Sequence, residues 1–454
     1  MSIYYGLFIT QLDLFNHSNK TLLANNDIFA IAASLAHLPG FVFLDSHRGS
    51  ASATYDIVAA MPRAVIQLDA FQGDLNAWMA SIESCLTRES SPNSALISIG
   101  FVDYDSAAAK HGVKQASSRS AMAGLYDWCV VKDKRTRESW YVTSDSCSQS
   151  IETLQALLSE PTDEARDFTL TCPFSPHLSQ RGYTAAIERI RDYIIAGDCY
   201  QVNFAQRFSA TYQGNPLGLY QALRQTQRAP FSACIRTPAA DILSFSPERL
   251  VRVADRQILT QPIKGTRPRH PHPSEDLRLA EELQSSEKDR AENLMIVDLL
   301  RNDLGKTAVP GSIAVDSLFE LVSFANVHHL VSSVSGKLRP GVSAMDLLRA
   351  CFPGGSVTGA PKHRAMQIIA ELEPVKRQVY CGAIGYYSYH GNLDTNLPIR
   401  TIICSNSRLH YWGGGGIVAD SEAAQEYEET LTKVNFISHA LASLTHKTKA
   451  LARN

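Results

Sequence analysis

Two pairs of carboxylates, Asp289 with Glu292 and Glu426 with Glu429, stand three residues apart in the chain. Residues at that spacing share one face of a helix, so two such helices could hold a hard divalent cation between them. Mg²⁺ takes oxygen ligands in near-octahedral geometry and usually only one or two protein carboxylates, which leaves places for water and substrate oxygens. The same residues also fit ordinary helix starts, because Ser286-x-x-Asp289 has the capping-box spacing and acidic side chains answer the helix dipole. Lys264 stands in Gln261-Pro262-Ile263-Lys264-Gly265-Thr266-Arg267, on a short, defined backbone. Removed from water, such an amine becomes a nucleophile; left in water, it is a surface lysine beside a turn. Glu248, in Ser244-Phe245-Ser246-Pro247-Glu248-Arg249-Leu250, has apolar neighbours that would raise its pKa and suit a general acid. The alternative is a carboxylate paired with Arg249 or another arginine. Arg400 offers a fork that matches a carboxylate. Trp412 and the four glycines that follow it, Gly413 to Gly416, leave backbone N–H groups unobstructed, as in a loop that wraps an anion or in a flexible turn.

These groups need elements to carry them. The first carboxylate pair lies on a helix expected from about Glu287 to Asn302, with the apolar run Leu294-Met295-Ile296-Val297, and the second on a helix whose apolar side is Tyr427, Leu431, Val434 and Leu441. Ala186, Ile187, Ile190, Tyr193 and Ile194 recur at helical spacing, and Gly197 sits where a left-handed residue would end that helix. Cys199 to Phe208 reads as the strand that follows, and Asn215-Pro216 as the cap and first residue of a helix running through Gln225. Arg400, in Leu397-Pro398-Ile399-Arg400-Thr401, is expected on a strand. Residues 1 to about 155 mix apolar runs (Phe41 to Leu44, Asp56 to Ala60, Ala95 to Ile99) with turn-rich stretches such as Arg88 to Ser94, and carry no chemical motif. The polar segment Ser159 to Asp167 is the best candidate for a boundary.

The chain has 454 residues, 44% hydrophobic and 19% charged, with a net charge of −2, so it is an ordinary globular sequence without the basic excess of a nucleic-acid binder. Its length is a prior for about three domains. No apolar run reaches the ~18 residues of a spanning helix, and Met1 to Phe15 lack a basic stretch ahead of an apolar one, which points to the cytoplasm. Nine cysteines without a CxxC pair suit reduced, mostly buried thiols. No Gly-Lys-Ser/Thr phosphate loop is present, which disfavours nucleotide hydrolysis.

Several segments, in order, resemble the chorismate-utilising enzymes, the family that holds the synthase subunits of anthranilate, aminodeoxychorismate, isochorismate and salicylate synthesis. They are Gly197 to Asn203, Ser246 to Leu250, Pro262 to Pro268, Glu292 to Asp303, His329 to Ser332, Gly354 to Lys362, and Ala419-Asp420-Ser421 through Glu426 to Thr430. The resemblance implies an α/β (α+β) fold, a large antiparallel β-sandwich flanked by helices. It further implies an N-terminal β-rich part over 1–155, interleaved with a chorismate-binding catalytic part over 172–445. Such interleaving favours one large unit over three separate ones.

Within this family, members that add water have a lysine base where this chain has Gln201, so the resemblance points to an amine nucleophile. Anthranilate-forming members have a small residue at Lys264; a lysine there resembles the members that make 4-amino-4-deoxychorismate. The implied roles are Mg²⁺ on Glu292 and Glu429 with Asp289 and Glu426 outside them, Glu248 as acid to the departing C4 hydroxyl, and Lys264 as nucleophile at C2. Arg400, Tyr380, Gly414 and Gly416 would hold the side-chain carboxylate, and Gln201, Thr266, His329 and Ser356 would line the ring, Ser356 standing where relatives often have threonine. Ammonia would come from a separate glutamine amidotransferase subunit, since no cysteine here sits in a Gly-x-Cys-x-Gly elbow. Phe43-Leu44-Asp45-Ser46 and Ala229-Pro230-Phe231-Ser232 resemble two walls of a tryptophan pocket, with Ser46, Pro230 and Phe231 as its contacts. The alternatives are an anthranilate synthase subunit, and a catalytically silent chorismate-binding subunit.

Overall fold

A computed structural model describes residues 19–46, 55–88, 95–113, 120–159, 167–324 and 327–451. All of the segment Arg88 to Ser94 but its first residue, most of the polar segment Ser159 to Asp167 and the N-terminal stretch through Phe15 lie outside the described residues.

Alternation with period two fixes the architecture. Along Phe231–Arg236, Asp241–Ser246, Thr401–Ser405 and Arg408–Ile417, the residues Ile235, Ile242, Ile403 and Trp412 enter one apolar core, while Cys234, Leu243, Ile402 and Tyr411 enter another. A strand that is apolar on both faces must be covered on both. A second sheet covers one face: Ile99, Val251, Ile258 and Ile384 of that sheet share the first core. Helices cover the other, through Leu217, Tyr220 and Leu223 of Pro216–Gln227 and Val434 and Ile437 of Ala423–Leu451. The result is two large antiparallel sheets, of twelve and ten described strands, flanked by helices.

Both sheets draw strands from distant parts of the chain. In the first, Val42–Asp45 pairs with Phe231–Arg236, and Thr401–Ser405 lies between Asp241–Ser246 and Arg408–Ile417. In the second, Ile97–Val102 pairs with Ala383–Ser388. The expected sandwich is present, with its strands interleaved in this way.

Local signals around the site hold. The helix Gln180–Ile195 is capped by Ser179, and Gly197 follows it at φ +84°. The strand after it runs Gln201–Gly214, starting later and ending further than its alternation suggests. Asn215 caps Pro216–Gln227 by accepting from the Leu217 N–H at 2.9 Å. Six of the nine free cysteines are buried, while Cys85 and Cys147 are half-buried and Cys172 is exposed. Among the described residues no helix is long and apolar enough to cross a membrane.

Two expectations need correction. Gly413 to Gly416 form no loop: they are the interior of Arg408–Ile417, opposite Gln206, Ala205, Phe204 and Asn203. The ladder to Gln201–Gly214 makes the run a strand, and glycine is needed in it because a Cβ on Gly414 would lie 2.3 Å from the Phe204 carbonyl oxygen. Arg400 is not on a strand but immediately precedes Thr401–Ser405, at φ +51°. Its carbonyl still accepts from the Phe245 N–H at 3.1 Å, one step beyond the Thr401–Ser244 pair, and the left-handed φ is what takes the residue out of strand conformation.

Candidate active site

The helix Glu287–Gly305 begins at Ser286, whose hydroxyl accepts from the Asp289 N–H at 3.3 Å, so the capping half of the acidic motif is real. The helix extends three residues past Asn302 and is docked by a buried amide. Asn293 donates to the Leu330 carbonyl at 3.3 Å and accepts from the Ser332 hydroxyl at 2.6 Å. That anchor sets the orientation of Glu292 next to it. Burial raises the Glu292 pKa, as do the charges of Asp289 and Glu429, and Lys264 and Lys288 oppose the rise. Asp289 itself pairs with Arg267 at 3.4 Å.

The facing carboxylates come from Ala423–Leu451. This helix is pinned to the glycine strand's neighbour by Gln206, which donates to Thr430 at 2.7 Å. Glu426 accepts from Ser421 at 2.8 Å and Glu429 pairs with Lys433 at 2.5 Å. A Cβ on Gly415 would sit 3.0 Å from a Glu426 oxygen and 3.7 Å from a Glu429 oxygen, so the bare backbone there is what leaves room for both. Among the described residues no three metal-binding side chains are already gathered in one cluster. Glu292, Glu426 and Glu429 nevertheless fit a hard cation. All three offer oxygen alone, and the burial and mutual repulsion that raise the pKa values of Glu292 and Glu426 are what a bound cation would relieve.

Lys264 enters from the strand Ile263–Pro268. Its pairing with Val327–Lys337 slips between Lys264 and Thr266, where Gly265 takes φ +81°; such a bulge re-aims a side chain. The Lys264 nitrogen lies 3.3 Å from the Ser356 carbonyl oxygen. The Ser356 hydroxyl donates at 2.7 Å to Glu248, which is buried. Burial pushes the Glu248 pKa up to about 7, against the Ser356 hydrogen bond, the Lys264 charge and the Ile263 N–H. The Arg249 alternative falls away, since Arg249 pairs with Asp394 at 2.9 Å. Gln201 is buried with its carbonyl oxygen unpartnered, and a Cβ on Gly416 would fall 1.9 Å from its amide nitrogen and 3.5 Å from the Lys264 nitrogen. The three residues thus share one small space.

Arg400 is desolvated, which pushes its pKa down, and among the described residues no carboxylate acts on it. Next to it, burial and the Arg400 charge lower the His329 pKa to about 3, so that ring is neutral. His329 shares a 2.9 Å hydrogen bond with Thr266 through Nδ1, leaving Nε2 buried without a partner. Tyr380 stacks on Trp412 with centroids 6.1 Å apart. Among the described residues the glycine strand beyond Tyr411 pairs only with Gln201–Gly214, so alternate N–H groups from Trp412 to Ile417 point away from the ladder. A desolvated cation, a neutral imidazole and outward-facing amides are groups that suit a small carboxylate.

Ser46, Pro230 and Phe231 meet in a separate cleft between the sheets, lined also by Tyr55, Tyr386 and Asp394. Sequence reasoning missed the pair Glu373 and Arg377. They lie at helical spacing, but the helix Lys362–Leu372 has ended before them, so nothing in the pattern marks them as partners.

An interleaved antiparallel sandwich whose site joins a half-buried lysine, a buried acid and a desolvated arginine is suited to a small anionic substrate. The model of the chorismate binding enzymes matches residues 42–439, and the chain belongs to that family. It is 48% identical over 320 residues to aminodeoxychorismate synthase component 1 of Klebsiella aerogenes, covering 70% of each chain. The structure is similar to anthranilate synthase component I of Streptococcus pneumoniae, with TM-score 0.71, 30% identity and 95% and 94% of the two chains covered. It also superposes on the menaquinone-specific isochorismate synthase of Escherichia coli, with TM-score 0.75 at 19% identity over 93% and 94% of the chains, a likeness of fold.

Proposed function

We propose that the chain converts chorismate and ammonia to 4-amino-4-deoxychorismate, the precursor of 4-aminobenzoate in folate synthesis. The observation that carries the reading is Lys264. It lies at the Ser356 turn that also holds Glu248, with Glu292 within electrostatic reach.

Arg400, Tyr380 and the amides of Gly414 and Gly416 bind the side-chain carboxylate, while Gln201, Thr266, His329 and Ser356 line the ring. Glu292 and Glu429, with Glu426 and Asp289 behind them, would hold Mg²⁺, which when bound withdraws electron density from the ring through its carboxylate. The Lys264 amine forms a bond to C2 as the allylic double bond shifts and the C4–O bond breaks. Glu248 supplies the proton, and water leaves. Ammonia then bonds to C4, the double bond shifts back, and the C2–N bond to Lys264 breaks. One proton from the incoming nitrogen returns to Glu248, and overall chorismate and ammonia give the amine and water. A general acid near neutrality suits the first step, since Glu248 is both protonated and willing to donate there.

Ammonia would be delivered by a separate glutaminase subunit, in keeping with the "component 1" in the relatives' name. The cleft at Ser46, Pro230 and Phe231, walled also by Tyr55 and Tyr386, would be the tryptophan pocket. A cytoplasmic setting is the natural one for these thiols and this substrate.

Incubating the purified chain with chorismate, Mg²⁺ and ammonium tests the reading. The expected product is aminodeoxychorismate, convertible to 4-aminobenzoate by an added lyase. Anthranilate as sole product would assign the chain to the other aminating class, and no turnover would favour a silent binding subunit.

A further inference from the structure

The chain turn that carries Ser356 has no regular secondary structure to hold it beyond the short 3-10 segment Gly355–Val357. What holds it is Arg377, almost fully buried and with four hydrogen bonds. Its guanidinium donates to both Glu373 carboxylate oxygens at 2.9 and 2.7 Å, to the Val357 carbonyl at 2.7 Å and to the Asn203 carbonyl at 2.6 Å. Glu373 in turn accepts from the Ala205 N–H at 2.8 Å, and the Asn203 N–H reaches the Thr358 carbonyl at 2.8 Å. The Tyr104 ring lies against the guanidinium, 4.6 Å away. One planar group therefore ties the strand that begins with Gln201 to the residue after Ser356. A fork with fixed donor directions sets such a distance more tightly than a single ammonium can.

We infer that Arg377, locked by Glu373, is a positioning residue that holds Ser356 in register with Glu248 and Lys264. The inference rests on the proposed reading of Glu248 and Lys264 as the reacting groups. Ser356 serves both: its hydroxyl bonds Glu248 and its carbonyl oxygen faces Lys264. A loosened turn would release both contacts together.

The groups that face Glu248 are Ser356, Lys264 and the Ile263 N–H, all of which hold its pKa down against burial, with the Cys381 thiol nearby. Losing the Ser356 bond therefore moves the Glu248 titration upward. The test is Arg377→Lys, which keeps the charge and removes the fork. We expect kcat to fall by about tenfold or more, with KM for chorismate changed by less than about threefold. The alkaline limb of the kcat profile should move upward, as is also expected of Ser356→Ala, with no further movement in the double variant. The carboxyl band of Glu248 in the infrared, identified by its loss in Glu248→Gln, reads the same titration without turnover. Should wild-type enzyme make no aminodeoxychorismate, the proposed reaction fails, while the infrared titration still decides whether Arg377 sets the Glu248 environment. Arg377→Lys with a lowered melting temperature but unmoved infrared titration would overturn the inference. If that variant does not fold, Glu373→Gln combined with Arg377→Gln removes the pair without leaving a lone charge. Failure of both to fold would assign the pair to the fold and not to the site.

Discussion

Adding one methyl group at Gly416 should stop the enzyme while leaving the protein folded. The new Cβ would lie 1.9 Å from the Gln201 amide nitrogen, about 1.5 Å inside ordinary contact, and 3.5 Å from the Lys264 nitrogen. Gln201 is 1% exposed, so its end cannot swing into solvent; it must move within the site by roughly the missing 1.5 Å. Overpacking of this kind costs about 1–3 kcal/mol of stability. Misplacing a reacting group by about 1 Å costs on the order of 10² in rate. Gly416→Ala is therefore expected to lower kcat about a hundredfold in the ammonium-dependent assay. Gly197→Ala is the control. That glycine is at φ +84° with nothing within 4 Å of the added Cβ, so alanine there should cost about 1–2 kcal/mol in backbone strain and leave kcat alone. Turnover by Gly416→Ala within about twofold of wild type would refute the placement of Gln201, Lys264 and the glycine strand in one space.

Other perturbations have signs set by the same geometry. With Glu248 acting as an acid whose pKa is raised to about 7, kcat should fall as pH rises through that value; a rate flat from pH 6 to 9 would remove Glu248 from proton transfer. The same shift makes folding favour the protonated form, so the contribution of Glu248 to stability is present at low pH and is lost as pH climbs from its unfolded value toward about 7, as melting temperatures against Glu248→Gln would report. Glu292→Gln should weaken Mg²⁺ binding, measured by calorimetry without substrate, by about tenfold or more, and a wild-type isotherm would reduce the carboxylates to helix caps. Arg400→Gln should raise KM for chorismate far more than it changes the unfolding midpoint, because no protein carboxylate depends on that guanidinium.

Much of this site is legible from chain-local rules. Ser286, Asn215 and Gly197 end helices for reasons that their own side chains or φ angles supply, and the elements follow within a few residues. The glycine run reads as a loop because glycine weakens strands in isolation. What makes it a strand is its pairing with Gln201–Gly214, some two hundred residues away, and what makes it glycine is the Phe204 carbonyl and Ala205 methyl that a Cβ would meet there. Arg400 reads as a strand residue because its neighbours are apolar, and its carbonyl does bond the Phe245 N–H across the ladder, but a left-handed φ at a non-glycine residue has no signal in the pattern. The Glu373 and Arg377 pair is invisible in the pattern, since its partners Asn203, Ala205 and Val357 come from two other segments.

The central claim is that Lys264 bonds to the substrate before ammonia does. Rapid quenching of the enzyme with chorismate and Mg²⁺, followed by peptide mass analysis, tests it directly. The account predicts a peptide containing Lys264 heavier by chorismate less one water, an adduct that decays when ammonium is added as aminodeoxychorismate appears. An unmodified Lys264 peptide, together with full aminodeoxychorismate formation by Lys264→Ala, would contradict it.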